Sequence, residues 1–153
     1  MPDSDLAPET VVERFLTESS GTMDDHIAAC LRWVHPDAYF GTGGFDPPRI
    51  RNRADLVGDL EKAKGKLGGF KYEIVTVATS GEKVLTERFD NILDHDGNIV
   101  HEYKVMGIAG VRDGLIVWWR DYFYNTNEFE KYLPEPYVPD GPPVLADRIR
   151  AGD

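Results

Sequence analysis

The chain is expected to fold as an α+β domain, with N-terminal helices packed on one face of a curved, antiparallel or mixed β-sheet. Three observations predict it. Up to Leu67 the apolar residues recur at helical spacing; from Phe70 to Tyr124 they form alternating, β-branched and aromatic runs; and the joints between those runs are tight turns.

A first helix is expected from about Pro8. Proline suits a first helical turn, Glu9 suits the positive end of the helix dipole, and Val11, Val12, Phe15 and Leu16 share a face. Ser19-Ser20-Gly21 ends it. A second helix follows the N-cap residue Thr22, with Asp24 and Asp25 in its first turn. Its expected buried stripe is Ile27, Ala28, Leu31 and Val34, with Cys30 packed beside it, and Pro36 is its expected stop. Asp37 to Gly44 reads as a short extended piece entering a loop that continues through Phe45-Asp46-Pro47-Pro48. This glycine run lacks the Lys-Ser/Thr ending of a phosphate-binding loop. A third helix is expected over Arg53 to Leu67, capped by Asn52. Leu56, Val57, Leu60, Ala63, Lys64 and Leu67 face inward, and Gly68-Gly69 closes it.

Strands are then expected around Tyr72 to Val77, Lys83 to Leu93, Ile99 to Val111 and Leu115 to Tyr124. The turns between them are Ser80-Gly81, Asp94 to Asn98 and Arg112-Asp113-Gly114. Turns this short join antiparallel neighbours. A short closing helix is expected over Glu128 to Leu133. The proline-rich tail from Pro134 cannot add to a sheet and is expected to lie over the surface or a neighbouring subunit. The chain therefore divides into one domain, 1–133, and a tail, 134–153.

Bulk properties narrow the function. A length of 153 residues suits one core. A net charge of -10 repels phosphate backbones, which argues against nucleic acid and leaves a small, neutral, apolar molecule as the expected partner. A single cysteine permits no internal disulfide and fits a reducing cytoplasm. The first 20 residues lack the pattern of a signal peptide, and no run approaches the ~18 apolar residues of a membrane span. His26, His35, His95 and His101 show no metal-ligand spacing, so no metal is expected.

The chemistry is expected where the fourth strand carries an acid inside an aromatic run, Trp118-Trp119-Arg120-Asp121-Tyr122-Phe123. A carboxylate in such company is costly unless paired. Side chains alternate along a strand, so Val84, Thr86, Arg88, Asp90 and Ile92 share one face, and Leu115, Val117, Trp119, Asp121 and Phe123 share another. With both faces turned towards the helices, Arg88, Asp90 and Asp121 converge. Two carboxylates in a low dielectric cannot ionise independently, and an arginine between them fixes their geometry. That set suits acid/base catalysis, and it equally fits a buried structural ion pair. Trp118, Tyr122 and Tyr124 fall on the outer face with Arg120 and Glu87. So many outward aromatics point to a covered surface, hence a homodimer.

Val84 to Asp90 and Trp119 to Phe123, followed by Glu128-Phe129-Glu130, resemble the limonene-1,2-epoxide hydrolase family, within the broader SnoaL-like, NTF2-like cone fold. The likeness runs from about Val11 to Leu133. It implies a cofactor-free, one-step hydrolysis of an epoxide to a diol, without metal or covalent intermediate. By the same implication Asp121 is the base that deprotonates water, Asp90 the acid that protonates the epoxide oxygen, and Arg88 the bridge. The family holds its water with a tyrosine and, two residues on, an asparagine. Here Phe40 and Thr42 stand at those positions, with Tyr39 one place off. Either Thr42 and the backbone hold the water, or a bulge brings Tyr39 inward, or the acids serve another reaction. Trp119 and Phe123 are expected to line the pocket, and simple core packing fits them about as well. The competing readings are an isomerase or cyclase acting on a polyketide- or steroid-like ligand, and a non-catalytic binding module of the same fold.

Overall fold

The structure, a computed structural model, describes residues 4–42, 48, 50–123 and 141–152. Helix α1, Pro8–Ser19, places its proline in the first turn and buries Val11, Val12, Phe15 and Leu16. Helix α2 spans Met23–Trp33. The Thr22 hydroxyl accepts from the Asp25 amide while the Asp25 carboxylate accepts from the Thr22 amide, a reciprocal capping box.

The buried stripe of α2 differs from the expected one. Met23, His26, Ile27, Ala29, Cys30 and Trp33 face inward, whereas Ala28 is exposed and Leu31 is 54% exposed. The inward face is set by two large polar-tipped rings, each of which finds a partner. The Trp33 indole N–H donates to Glu18 Oε2 at 2.8 Å, and His26 meets the hydroxyl of Tyr72. The helix also stops before Pro36. Val34 is already extended and opens strand β2, Val34–Thr42, at an edge of the sheet where a proline's missing N–H is tolerated. Arg53 donates to the carbonyls of Leu31 and Val34, satisfying acceptors at the helix end.

Helix α3, Arg53–Ala63, carries the expected cap: the Asn52 side chain accepts from the Asp55 amide at 2.8 Å. It ends short of Leu67, and Gly65 lies in the turn that follows. Leu56 is its buried residue, with Val57 and Leu60 partly packed against the core.

The sheet contains β1 (Gly21–Thr22), β2, β3 (Gly69–Ser80), β4 (Lys83–Leu93), β5 (Ile99–Arg112) and β6 (Leu115–Tyr122), in the order β1-β3-β4-β5-β6-β2. The meander from β3 to β6 is antiparallel, and β2 adds parallel to β6, so the sheet is mixed. Bulges in β3 and near the start of β6 add twist and help curl it around α1 and α2. The bulge in β6 corrects one expectation. Gly110 pairs with Trp118 and Val111 with Ile116, so strict alternation breaks at Val117. Ile116 is buried in the core, whereas Val117 lines a surface depression with His35 and Arg112.

Residues 124–140, which include Tyr124 and the expected helix at Glu128 to Leu133, lie outside the described residues. The tail ends in a helix that proline content did not suggest, α4, Leu145–Ala151. It rests on the outer face of the sheet. Arg150 donates to Glu73 and Glu102, and its guanidinium lies 4.0 Å from the centre of the Phe89 ring. No described helix is long and apolar enough to cross a membrane.

Candidate active site

The hollow between the helices and the inner face of the sheet is built around Arg88. Alternation along β4 turns Thr86 and Arg88 inward, and Arg88 is only 2% exposed. A guanidinium at that depth must be satisfied. Its Nε donates to Asp90 Oδ1 at 2.7 Å, and its Nη2 donates to Asp90 Oδ2 at 3.0 Å and to Asp121 Oδ1 at 2.6 Å. Nη1 donates to the Thr86 hydroxyl at 2.9 Å. The Trp119 indole N–H donates to the same Asp121 Oδ1 at 2.7 Å, and its ring centre lies 5.2 Å from the guanidinium carbon. The two donors therefore share one oxygen of Asp121, and neither engages Oδ2.

The bridge from β4 to β6 has to cross β5. It does so over Gly107, which stands opposite both Thr86 and Asp121 in the ladder. A Cβ at Gly107 would overlap Arg88 Nη1 and lie 2.7 Å from Asp121 Oδ1. Sequence reasoning missed this glycine. The available signal was glycine within a strand run, at Gly107 and Gly110, which marks close approach of another group.

The two acids differ in setting. Burial pushes the Asp90 carboxyl up to about 6, against the opposing pull of Arg88's charge and hydrogen bonds; the nearby Asp121 charge adds to the rise. Asp90 thus approaches an acid that holds its proton near neutrality.

The cavity in front of these groups measures about 100 Å³. Phe15, Leu16, Phe40 and Leu56 supply apolar walls, and Trp119 flanks the acids. Phe40 stacks on Trp119, with ring centres 6.2 Å apart and planes at 7°. Thr42 pairs in backbone register with Asp121, and its side chain lies outside the described residues. Tyr39 does not enter. It stacks on Trp118 across the outer face, because β2 keeps its alternation there. Phe123 is also absent from the walls; it sits past the end of β6, 48% exposed and against Tyr103.

Two wall residues escaped sequence reasoning. His26 and Tyr72 line the cavity, with Tyr72 Oη 3.3 Å from His26 Nδ1. Burial lowers His26 to about 4, against a hydrogen bond to the Ser19 carbonyl, so the ring is neutral near pH 7. Burial, reinforced by the Asp90 charge, lifts the Tyr72 phenol well above its ordinary value. Metal-ligand spacing gives His26 no role; its place beside Ile27 on the inward side of α2 is the usable sign. His35 sits in β2, its Nδ1 accepting from the Asp37 amide, while His95 meets the Lys64 carbonyl. Among the described residues, no three His, Cys, Asp or Glu are grouped to hold a metal. Cys30 is fully buried, and burial pushes its thiol up to about 12. On the outer face, Glu87 accepts from Thr76 and Arg120 lies over Trp118, so the two have separate partners.

A curled mixed sheet closed by helices over one polar cluster is the α+β cone of the NTF2-like class. It superposes on an NTF2-like protein of Cytophaga hutchinsonii with a TM-score of 0.60, at 18% identity over 82% of this chain and 97% of that one. Within that class the chain belongs to the limonene-1,2-epoxide hydrolase family, whose catalytic-domain model matches residues 7–133. The epoxide hydrolase EphG of Mycobacterium tuberculosis is 33% identical over 138 residues, covering 85% of this chain and 87% of the relative. The structure of a limonene-epoxide-hydrolase-like epoxide hydrolase from M. tuberculosis superposes with a TM-score of 0.64 at 28% identity, covering 80% and 86% of the two chains.

Proposed function

We propose that this chain opens a small epoxide to a vicinal diol by direct attack of water, with Asp121 as base, Asp90 as acid and Arg88 as the bridge between them. The carrying observation is the Arg88 clamp, which holds two carboxylates at one apolar cavity and leaves Asp121 Oδ2 unengaged by Arg88 and Trp119. In the proposed step, a water proton passes to Asp121 Oδ2 as the water oxygen bonds to a ring carbon. That carbon's bond to the epoxide oxygen breaks, and the oxygen takes the Asp90 proton. Push and pull act together because the ring oxygen leaves poorly until it is protonated. Phe40 gives the water no hydroxyl, so the polar contacts of the water come from Asp121 and from outside the tyrosine position.

Single-turnover reaction of an epoxide panel in heavy-oxygen water, with enzyme in excess, tests this reading. Direct attack puts the label into the diol in the first turnover. An unlabelled first-turnover diol would instead indicate an ester intermediate on a carboxylate, and no diol from any epoxide would end the hydrolase reading. The pH profile gives a further test. Asp90 must be protonated to act, so kcat/KM should fall as pH rises past about 6.

The outer face supports a homodimer. Met106 and Tyr122 are half exposed there beside Trp118. Sedimentation equilibrium should return twice the chain mass, and Tyr122→Glu should return the monomer; a wild-type monomer would refute the assembly.

A further inference from the structure

We propose that Tyr72, held by His26, is a second polar anchor of the cavity, and that the preferred substrates are small epoxides carrying a hydroxyl beside the three-membered ring. This rests on the hydrolase reading above and names its substrate class.

Across the sheet, the polar groups lie in a row. Asp121 is on β6, Arg88 and Asp90 are on β4, and Tyr72 stands directly opposite Asp90 on β3. Directly opposed strand residues have Cβ atoms about 5 Å apart. An epoxide whose oxygen faces Asp90 and whose attacked carbon faces Asp121 therefore turns its remaining substituents towards Tyr72.

The hydrogen-bond polarity at Tyr72 selects what that substituent can be. Buried among Phe15, Phe70 and Tyr72, His26 is neutral near pH 7 and carries a single ring N–H. In the proposed arrangement that proton sits on Nε2, so the Nδ1 that lies 3.3 Å from Tyr72 Oη is the acceptor and the Tyr72 O–H donates to it. The Tyr72 oxygen then presents lone pairs, which match a donor such as a ligand hydroxyl. An alkyl group or an ether there offers no proton. His26 is fixed in this role by packing between Phe15 and Phe70, whose ring centres lie 6.1 and 5.2 Å away. The Arg88 clamp uses neither residue, and a cavity this small has few positions for a polar group. A site built to bind a hydroxyl discriminates strongly against the analogue that lacks it, because its own polar group is left unmatched.

The test compares 2,3-epoxycyclohexan-1-ol with cyclohexene oxide, on the wild type and on Tyr72→Phe, which removes a single oxygen. The wild type should favour the epoxy alcohol in kcat/KM, and the substitution should cut that preference by about 10- to 100-fold. A wild-type ratio near one, or a ratio unmoved in the variant, overturns the anchor. Ligand-observed NMR of cyclohexanol against methylcyclohexane judges the anchor without catalysis. Tighter cyclohexanol binding that is lost in Tyr72→Phe supports it, and equal binding overturns it. If neither epoxide gives a diol, the hydrolase reading has failed, and the binding comparison alone decides the anchor.

Discussion

Asp121→Asn should lower kcat for epoxide opening by about 10²- to 10⁴-fold while leaving the protein folded. The amide has the shape of the carboxylate, and its oxygen can still accept from Trp119 and Arg88, so both donors that now meet Oδ1 keep a partner. What disappears is the negative charge that would draw a proton from water. A second consequence separates this loss from simple misfolding. The Asp121 charge contributes to the raised Asp90 pKa, so its removal should bring Asp90 below about 6. Burst-free kinetics give the first quantity, and carboxyl-carbon NMR titration of Asp90 gives the second. Turnover within threefold of the wild type would remove Asp121 from the reaction. An unchanged Asp90 titration would show that the two acids are not electrostatically coupled as their geometry suggests.

The fold and the triad were legible for one reason, and the missed residues were hidden for another. Period-two patterning in Lys83 to Leu93 and the tight turns beside it specify β4 closely, and the inward set Val84, Thr86, Arg88 follows from alternation alone. The convergence of Arg88, Asp90 and Asp121 then depends only on which faces look inward. Alternation fails where the backbone departs from it. The bulge at Val117 flips the start of β6, so Ile116 rather than Val117 enters the core, and no residue type there announces the shift. Helix α2 misled for a chemical reason. Aliphatic Leu31 looked like the core residue, yet Trp33 and His26 are inside because Glu18 and Tyr72 satisfy their polar atoms across long sequence separations. Tertiary partners of that kind cannot be read from periodicity. The position of α4 is similar, since Arg150 finds Glu73 and Glu102 on strands far upstream.

Gly107→Ala is the most economical test that the bridge across β5 organises the site, and it should lower kcat by about 10²-fold or more. The new methyl group would occupy space now held by Arg88 Nη1. Elsewhere a long arginine could swing aside at little cost. Here the guanidinium is pinned by hydrogen bonds to Thr86, Asp90 and Asp121 and is almost fully buried. If β5 yields, the cost is that of overpacking, about 1–3 kcal/mol. If Arg88 yields instead, it leaves Asp121, and the penalty for a broken buried ion pair is about 3–5 kcal/mol. Either route displaces Arg88 relative to Asp121, so activity should fall by more than stability alone explains. Gly110→Ala supplies the control on the same strand. Its methyl group would press on Trp118 at the outer face and should destabilise the protein without moving the clamp. Urea unfolding and initial rates on both variants decide the matter. A large loss of kcat confined to Gly107→Ala assigns the glycine to the geometry of the acids. Equal kcat losses in the two variants would mean that β5 contributes only rigidity, and that Arg88 tolerates displacement.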